Sequence, residues 1–252
     1  MSLQNFRRIL EELKPFTREI ALHIVGDPLT LSNLGDYLDI AEELNFKVHI
    51  VTSGYFMKNI NFQTLLHKSI KQINFSLNSF NKNDLNISLD QYLEPILDFC
   101  KIKVERETKS FINLRVWNLD EIGSEKEFND EVYKKLSKFF KKEIVIEDLK
   151  PFRLDSKVLL NFDIYFDWPD LNSKKRSDGF CHGLSSQIGF LSNGEVVPCC
   201  LDKDGILSLG NIFEKNLKDI LATEKARNIK DGFAKGIAVE EFCKSCGYKE
   251  RF

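Results

Sequence analysis

Two stretches decide how this chain is read: CHGLSSQIGFLSNGEVVPCC, Cys181 to Cys200, and FCKSCGY, Phe242 to Tyr248. They space the thiols as C-x12-G-x4-C, followed far downstream by C-x2-C. QIGFL (187–191) and EVVPCC (195–200) predict two strands of a hairpin, with Ser192-Asn193-Gly194 as the turn, where glycine supplies the positive φ that a tight turn demands. Cys243 and Cys246 have the gap that lets both sulfurs face one centre, and Gly247 relieves the backbone just beyond them. Adjacent residues on a strand point to opposite faces, so only one of Cys199 and Cys200 can turn to the site; Cys199 is the expected ligand. His182 is too close to Cys181 to be its partner. A set of four soft ligands, Cys181, Cys199, Cys243 and Cys246, suits a structural zinc or an iron–sulfur cluster, and residue types leave both open.

Composition narrows the setting. The chain has 252 residues, 42% of them hydrophobic, enough for one substantial core and a smaller appended unit. A net charge of −2 offers no footprint for nucleic acid, and the Lys-rich runs KKLSKFFKKE and SKKR read as solvated surface. No apolar run reaches the roughly 18 residues of a membrane span, and MSLQNFRRILEELK is too charged for a signal peptide. A cytoplasmic location is expected, where thiols bind metal rather than form disulfides. Cys100 shares a helical stripe with Leu93, Ile96 and Leu97 and reads as a core thiol.

Ahead of the cysteines, an amphipathic helix (Phe6, Ile9, Leu10, Leu13) opens the chain, and strand-like runs then alternate with helical periods. IALHIV (20–25), KVHIV (47–51), QINFSL (72–77), FINLRVW (111–117) and EIVIEDL (143–149) are the five expected strands. Between them lie a helix capped by Ser32, a shorter one around Phe62 and Leu65, one opened by a Ser88-x-x-Gln91 capping box, and one opened by Ser124-x-x-Glu127. Such alternation specifies a parallel sheet, doubly wound or part of a β/α barrel, with ligands at the carboxyl ends of the strands. Those ends read Gly26-Asp27-Pro28, Thr52-Ser53-Gly54, Ser76 to Ser79 and Arg115 to Asn118. His23 and His49 lie in the expected strands and read as satisfied core residues.

Taken together, these residues resemble a radical S-adenosylmethionine (radical SAM) protein with a SPASM or twitch-type auxiliary iron–sulfur domain. Gly26-Asp27-Pro28 stands where that family has G-E-P, and Thr52-Ser53-Gly54 where it often has T-N-G. The cysteine hairpin, VVPCCLD, Leu209-Gly210-Asn211-Ile212 and the final C-x2-C match the auxiliary domain. The family's C-x3-C-x2-C loop is absent from the sequence. The resemblance therefore implies a partial radical SAM-like barrel missing its first β/α unit over residues 1–150, a connecting strand and linker over 151–180, and a SPASM/twitch-type domain over 181–252.

It also implies cofactors and site residues. A 4Fe-4S auxiliary cluster would sit on the four thiolates, with zinc as the alternative metal. S-adenosyl-L-methionine would lie along Gly26, Asp27, Pro28, Thr52, Ser53, Ser76 and Arg115, with the Gly26 to Pro28 strand end at its amino group and Ser76 at its ribose. Arg115 has an internal reading too, as a salt bridge to Asp120 or Glu147. In the intact family a reduced cluster cleaves S-adenosylmethionine to a radical that abstracts hydrogen from substrate. The expected partners are a peptide or small-molecule substrate and an electron donor such as flavodoxin or ferredoxin, with no nucleic acid and no membrane. Without the C-x3-C-x2-C loop the polypeptide is expected to be truncated and inactive; the alternative function is a non-catalytic module that binds a peptide or partner protein around a structural site of four cysteines, filled by zinc or an iron–sulfur cluster.

Overall fold

The computed structural model describes all residues except 25, 83–85, 118–125, 147–149, 165 and 252. The chain divides into two compact units, Thr17–Tyr165 and the pair of segments Met1–Phe16 with Phe166–Phe252.

The first unit is built on a six-stranded sheet of β1 (Glu19–Leu22), β2 (Lys47–Thr52), β3 (Ile70–Ser76), β4 (Phe111–Val116), β5 (Phe152–Asp155) and β6 (Val158–Phe162). The order is β1-β2-β3-β4-β6-β5, and every neighbouring pair is parallel except β5 with β6. The first four strands lie side by side in chain order with no reversal. Right-handed crossovers then put all connecting helices on one face, as in a barrel and unlike a doubly wound sheet. Those helices are α2 (Leu34–Glu43), α3 (Phe62–Leu65), α4 (Leu89–Glu105) and α5 (Lys126–Phe140), once α1 (Leu3–Leu13) is set aside.

The sheet's faces differ. Registered neighbours in a parallel sheet share a face, and Val48, Ile50, Ile73, Phe75, Ile112, Leu114, Val158 and Leu160 are all fully buried. They meet the apolar stripes of the helices, among them Leu38 and Ala41 of α2, Ile96 and Phe99 of α4 and Val132 and Leu136 of α5. The capping box of α4 is present: Gln91 N donates to Ser88 Oγ at 3.2 Å and Ser88 N to Gln91 Oε1 at 2.9 Å.

Several expectations need correction. EIVIEDL is not the fifth strand: residues 143–146 are irregular, with Val145 and Ile146 exposed, and 147–149 lie outside the described residues. The place beside β4 goes to β6, which forms a hairpin with β5 and buries Val158, Leu160 and Phe162. Helix α2 is preceded by Asn33, not Ser32, and no side chain caps it. The box at Ser124 falls outside the described residues.

The second unit gathers α1 with residues from 166 onward, so the first sixteen residues and the sheet belong to different units and the sheet unit runs to Tyr165 rather than 150. Phe6, Ile9, Leu10 and Leu13 of α1 are buried as its periodicity predicts. Glu12 accepts a hydrogen bond from Leu217 N at 3.0 Å, and the Arg8 guanidinium lies 5.6 Å from the Phe213 ring centre. A small antiparallel sheet, β7 (Gly189–Phe190), β8 (Glu195–Val197) and β9 (Gly210–Asn211), is followed by α6 (Leu217–Leu221), α7 (Glu224–Ala234) and α8 (Glu241–Lys244). No helix among the described residues is long and apolar enough to cross a membrane.

Candidate functional site

The expected hairpin forms: Gly189 pairs with Val197 and Phe190 with Val196, and Gly194 turns the chain at φ +91°. A Cβ there would stand 2.4 Å from the Phe213 ring, so glycine is required twice over. Strand β8 ends at Val197, two residues before Cys199. Cys199 and Cys200 therefore sit in a turn, and the alternation argument that separated them on a strand does not apply. What distinguishes Cys199 is its backbone setting: the amides of Leu201 and Asp202 turn toward its sulfur. Asp202 fixes the loop that follows. It is fully buried, and its carboxylate accepts from Ile206 N and Leu207 N, each at 2.8 Å.

The same construction recurs at the other thiols. Gly183 N donates to Cys181 Sγ at 3.4 Å, and the amides of Tyr248 and Lys249 turn toward Cys246. Cys243 lies in α8, and Gly247, just past Cys246, packs so closely on Asp167 that a Cβ would stand 2.8 Å from its backbone nitrogen. All of these cysteines are free and half-buried. Burial raises the Cys199 thiol to about 12. Burial also raises Cys243, and repulsion from Cys199, Cys181 and Cys246 pushes it further the same way. Cys181 and Cys246 are raised by burial as well. The four thiols thus share one electrostatic environment, poorly hydrated and lined with amide donors. Such burial favours the neutral thiol over the thiolate unless a cation is bound. Among the described residues no three ligating side chains converge on a single-ion site. Cys100 is buried in α4 with its thiol raised to about 12 by burial, an inert core residue as expected.

At the strand ends of the sheet unit, Asp27 joins two of the expected segments. Its Oδ2 accepts from Thr52 Oγ1 at 2.8 Å, Ser53 N at 2.8 Å and Ser53 Oγ at 2.7 Å, while Oδ1 caps the turn Pro28–Thr30 through Leu29 N at 3.0 Å. A carboxylate has about four lone-pair sites, so little acceptor capacity is left for an ammonium group. Gly26 has φ +127° and open space around it, whereas Pro28 and Thr52 are buried. Gly54, at φ +85°, is pressed against Ile96 and Tyr92.

Ser76 and Arg115 are register partners on β3 and β4, both half-buried. The Arg115 guanidinium stands 4.6 Å from the Trp117 ring centre, and its expected partners Asp120 and Glu147 lie outside the described residues. Neither histidine is a core residue. His23 lies past the end of β1 with much of its surface exposed, and its imidazole is held below the ordinary range first by desolvation and then by the Arg115 charge. His49 is half-buried and bonds Glu19 at 3.0 Å.

The sheet's second face carries residues that the strand-end search missed. Register places His49, Gln72, Asn74, Ser76, Asn113, Arg115 and Asn161 together on it. Asn74 Oδ1 accepts from Gln72 at 2.7 Å and from Asn113 at 3.0 Å. The Oδ1 atoms of Asn113 and Asn161 are buried with no partner among the described residues. Orphaned buried acceptors are costly and call for a donor from a ligand or water.

Comparison with known proteins adds to this geometry. Residues 181–247 match SPASM, an iron-sulfur cluster-binding domain. Among solved structures the chain is similar to BtrN in an open conformation (15% identity, TM-score 0.51, covering 100% of this chain and 86% of that one). It is similar also to BtrN in complex with AdoMet and 2-DOIA (17%, 0.51, 98% and 80%), and to Streptococcus suis SuiB bound to precursor peptide SuiA (16%, 0.55, 98% and 64%). The chain thus spans about two thirds of the length of SuiB. No curated protein sequence matches it. Residues 181–247 thus match an iron-sulfur cluster-binding domain, and the chain's fold is similar to those of BtrN and SuiB.

Proposed function

We propose that this polypeptide carries an auxiliary 4Fe-4S cluster on Cys181, Cys199, Cys243 and Cys246 and presents a ligand-binding sheet face of the radical SAM type. The observation that carries the reading is the gathering of four half-buried thiols, three of them with backbone amides aimed at sulfur, inside the residues that match an iron-sulfur domain. The donor set fits: a cluster held by four thiolates supplies one-electron chemistry and leaves no position for substrate. A single zinc with Zn–S bonds of about 2.3 Å would draw its sulfurs within about 3.8 Å of one another.

On the sheet face, Arg115 and the orphaned acceptors of Asn113 and Asn161 would orient a polar ligand that brings both an anionic group and hydrogen-bond donors. S-adenosyl-L-methionine has that chemistry, and BtrN and SuiB have structures bound to it. Asp27 would act indirectly by setting the Thr52–Ser53 loop, with Gly26, Pro28 and Ser76 lining the strand ends. The six cysteines include no C-x3-C-x2-C, so the polypeptide is proposed to hold its ligand without cleaving it. A peptide substrate or peptide partner is the second reading, supported by the SuiB structure with its precursor peptide.

Anaerobic purification with iron, sulfide and zinc analysis, followed by calorimetry with S-adenosylmethionine, tests this. The proposal expects about four irons per chain, absorbance at about 400 nm, and binding that weakens in Arg115→Ala and in Asn113→Leu. One zinc and a colourless protein contradict the cluster, and no heat of binding contradicts the sheet face.

A further inference from the structure

Lys249 is 2% exposed, between the half-buried Tyr248 and the exposed Glu250. Lysine is almost never buried without partners, and this one has two: Nζ donates to Lys244 O at 3.0 Å and to Cys246 O at 2.9 Å. Those carbonyls end α8 and the C-x2-C segment. The stem of the same side chain lies along Gly179, two residues before Cys181, so closely that a Cβ on Gly179 would stand 2.9 Å from Lys249 Cγ. Gly179 adopts φ +136°, where glycine is favoured. Lys249 therefore spans the two segments that bring Cys181 and Cys246. Its acidic neighbours among the described residues are Glu250 at 3.9 Å and Asp178, both exposed and both paired with Arg176, at 3.6 Å and 2.8 Å. Two carbonyls alone do not call for a buried cation; a neutral amide can donate to both at a lower desolvation cost. An anionic centre beside the ammonium explains why the charge is kept.

We propose that Lys249 is a positioning residue for the auxiliary cluster, tying its two ligand segments together and offsetting the negative charge of its four thiolates. This rests on the cluster reading above. A fixed positive charge stabilises the more negative, reduced form of a thiolate-held cluster and so raises its reduction potential.

The test uses the full chain, reconstituted anaerobically with iron and sulfide, as wild type and as Lys249→Met, Lys249→Gln and Lys249→Arg. Potentiometric titration followed by electron paramagnetic resonance should place Met and Gln at lower midpoint potential than wild type, with Arg returned toward it. Iron should pass to a chelator roughly 10- to 100-fold more readily from the Met variant, the range seen when groups that support metal ligands are removed. If Met does not load, Gln against Arg decides on the same two readouts. Met and Gln variants that keep their iron and titrate at the wild-type potential overturn the proposal alone. A wild-type chain that takes up no iron overturns the cluster reading, and this inference with it.

Discussion

In the sheet unit the polar row of Asn74, Asn113 and Arg115 is backed by strands of six and seven residues whose other face is packed to full burial. In the cysteine unit the thiols sit on turns and one short helix beside strands of two or three residues, steadied by local contacts such as those of Asp202 and Lys249 rather than by an extended sheet. The first arrangement is organised by its core before any ligand arrives. The second has thiols raised by burial, and on the proposed reading a metal completes their ordering, so that its folding and its loading would be linked.

The sharpest way to break that comparison is to remove a ligand. Cys199→Ala or Cys243→Ala should abolish iron retention and open the segment after Phe166 to proteolysis, while amide exchange within Thr17–Tyr165 stays slow. Cys200→Ala should keep its iron; iron analysis with exchange mass spectrometry reads both. A core change should do the reverse. Phe75 is fully buried beneath the helices, and Phe75→Ala should cost about 3–5 kcal/mol in urea unfolding, leaving the iron content of the folded fraction unchanged.

A smaller effect is expected at Asp27, whose carboxylate accepts four hydrogen bonds from two loops. Asp27→Ala should cost about 1–3 kcal/mol and lower the affinity for S-adenosylmethionine without touching the cluster. A pH-dependent effect concerns Lys103, 1% exposed, whose Nζ donates to Lys157 O at 3.4 Å and whose pKa burial lowers to about 8. Below that pH both folded and unfolded chains carry the proton and the desolvation cost is constant. From about 8 up to the ordinary lysine value the unfolded chain holds a proton the folded chain has lost, so this group makes stability rise with pH. Thermal melts should show that rise in wild type and not in Lys103→Met.

The two units are also unequally legible in the sequence. The cysteine knuckles can be read because their signals are local: thiol spacing, a turn glycine, a glycine after C-x2-C. The sheet's existence follows from period and caps, but its polar face escapes a search confined to strand ends, although the signal is there. KVHIVT, QINFS, INLRV and LLNF alternate polar and apolar residues, whereas strands buried on both faces read as continuous apolar runs. That alternation marks a sheet with one face left open to function. EIVIEDL misleads because, like VLLNF, it is a short run rich in β-branched and apolar residues, and only the long-range pairing of β6 with β4 decides between them. The stripe on α1 announces a buried face but not its partner, which lies about two hundred residues downstream, where Leu217 meets Glu12.

The most direct test is X-ray absorption at the iron and zinc edges of the anaerobically purified chain. A multi-iron cluster on the tail-end cysteines predicts an iron edge with a sulfur shell and a second shell of iron scatterers. A zinc edge with four sulfurs at about 2.3 Å, and no iron signal, contradicts it.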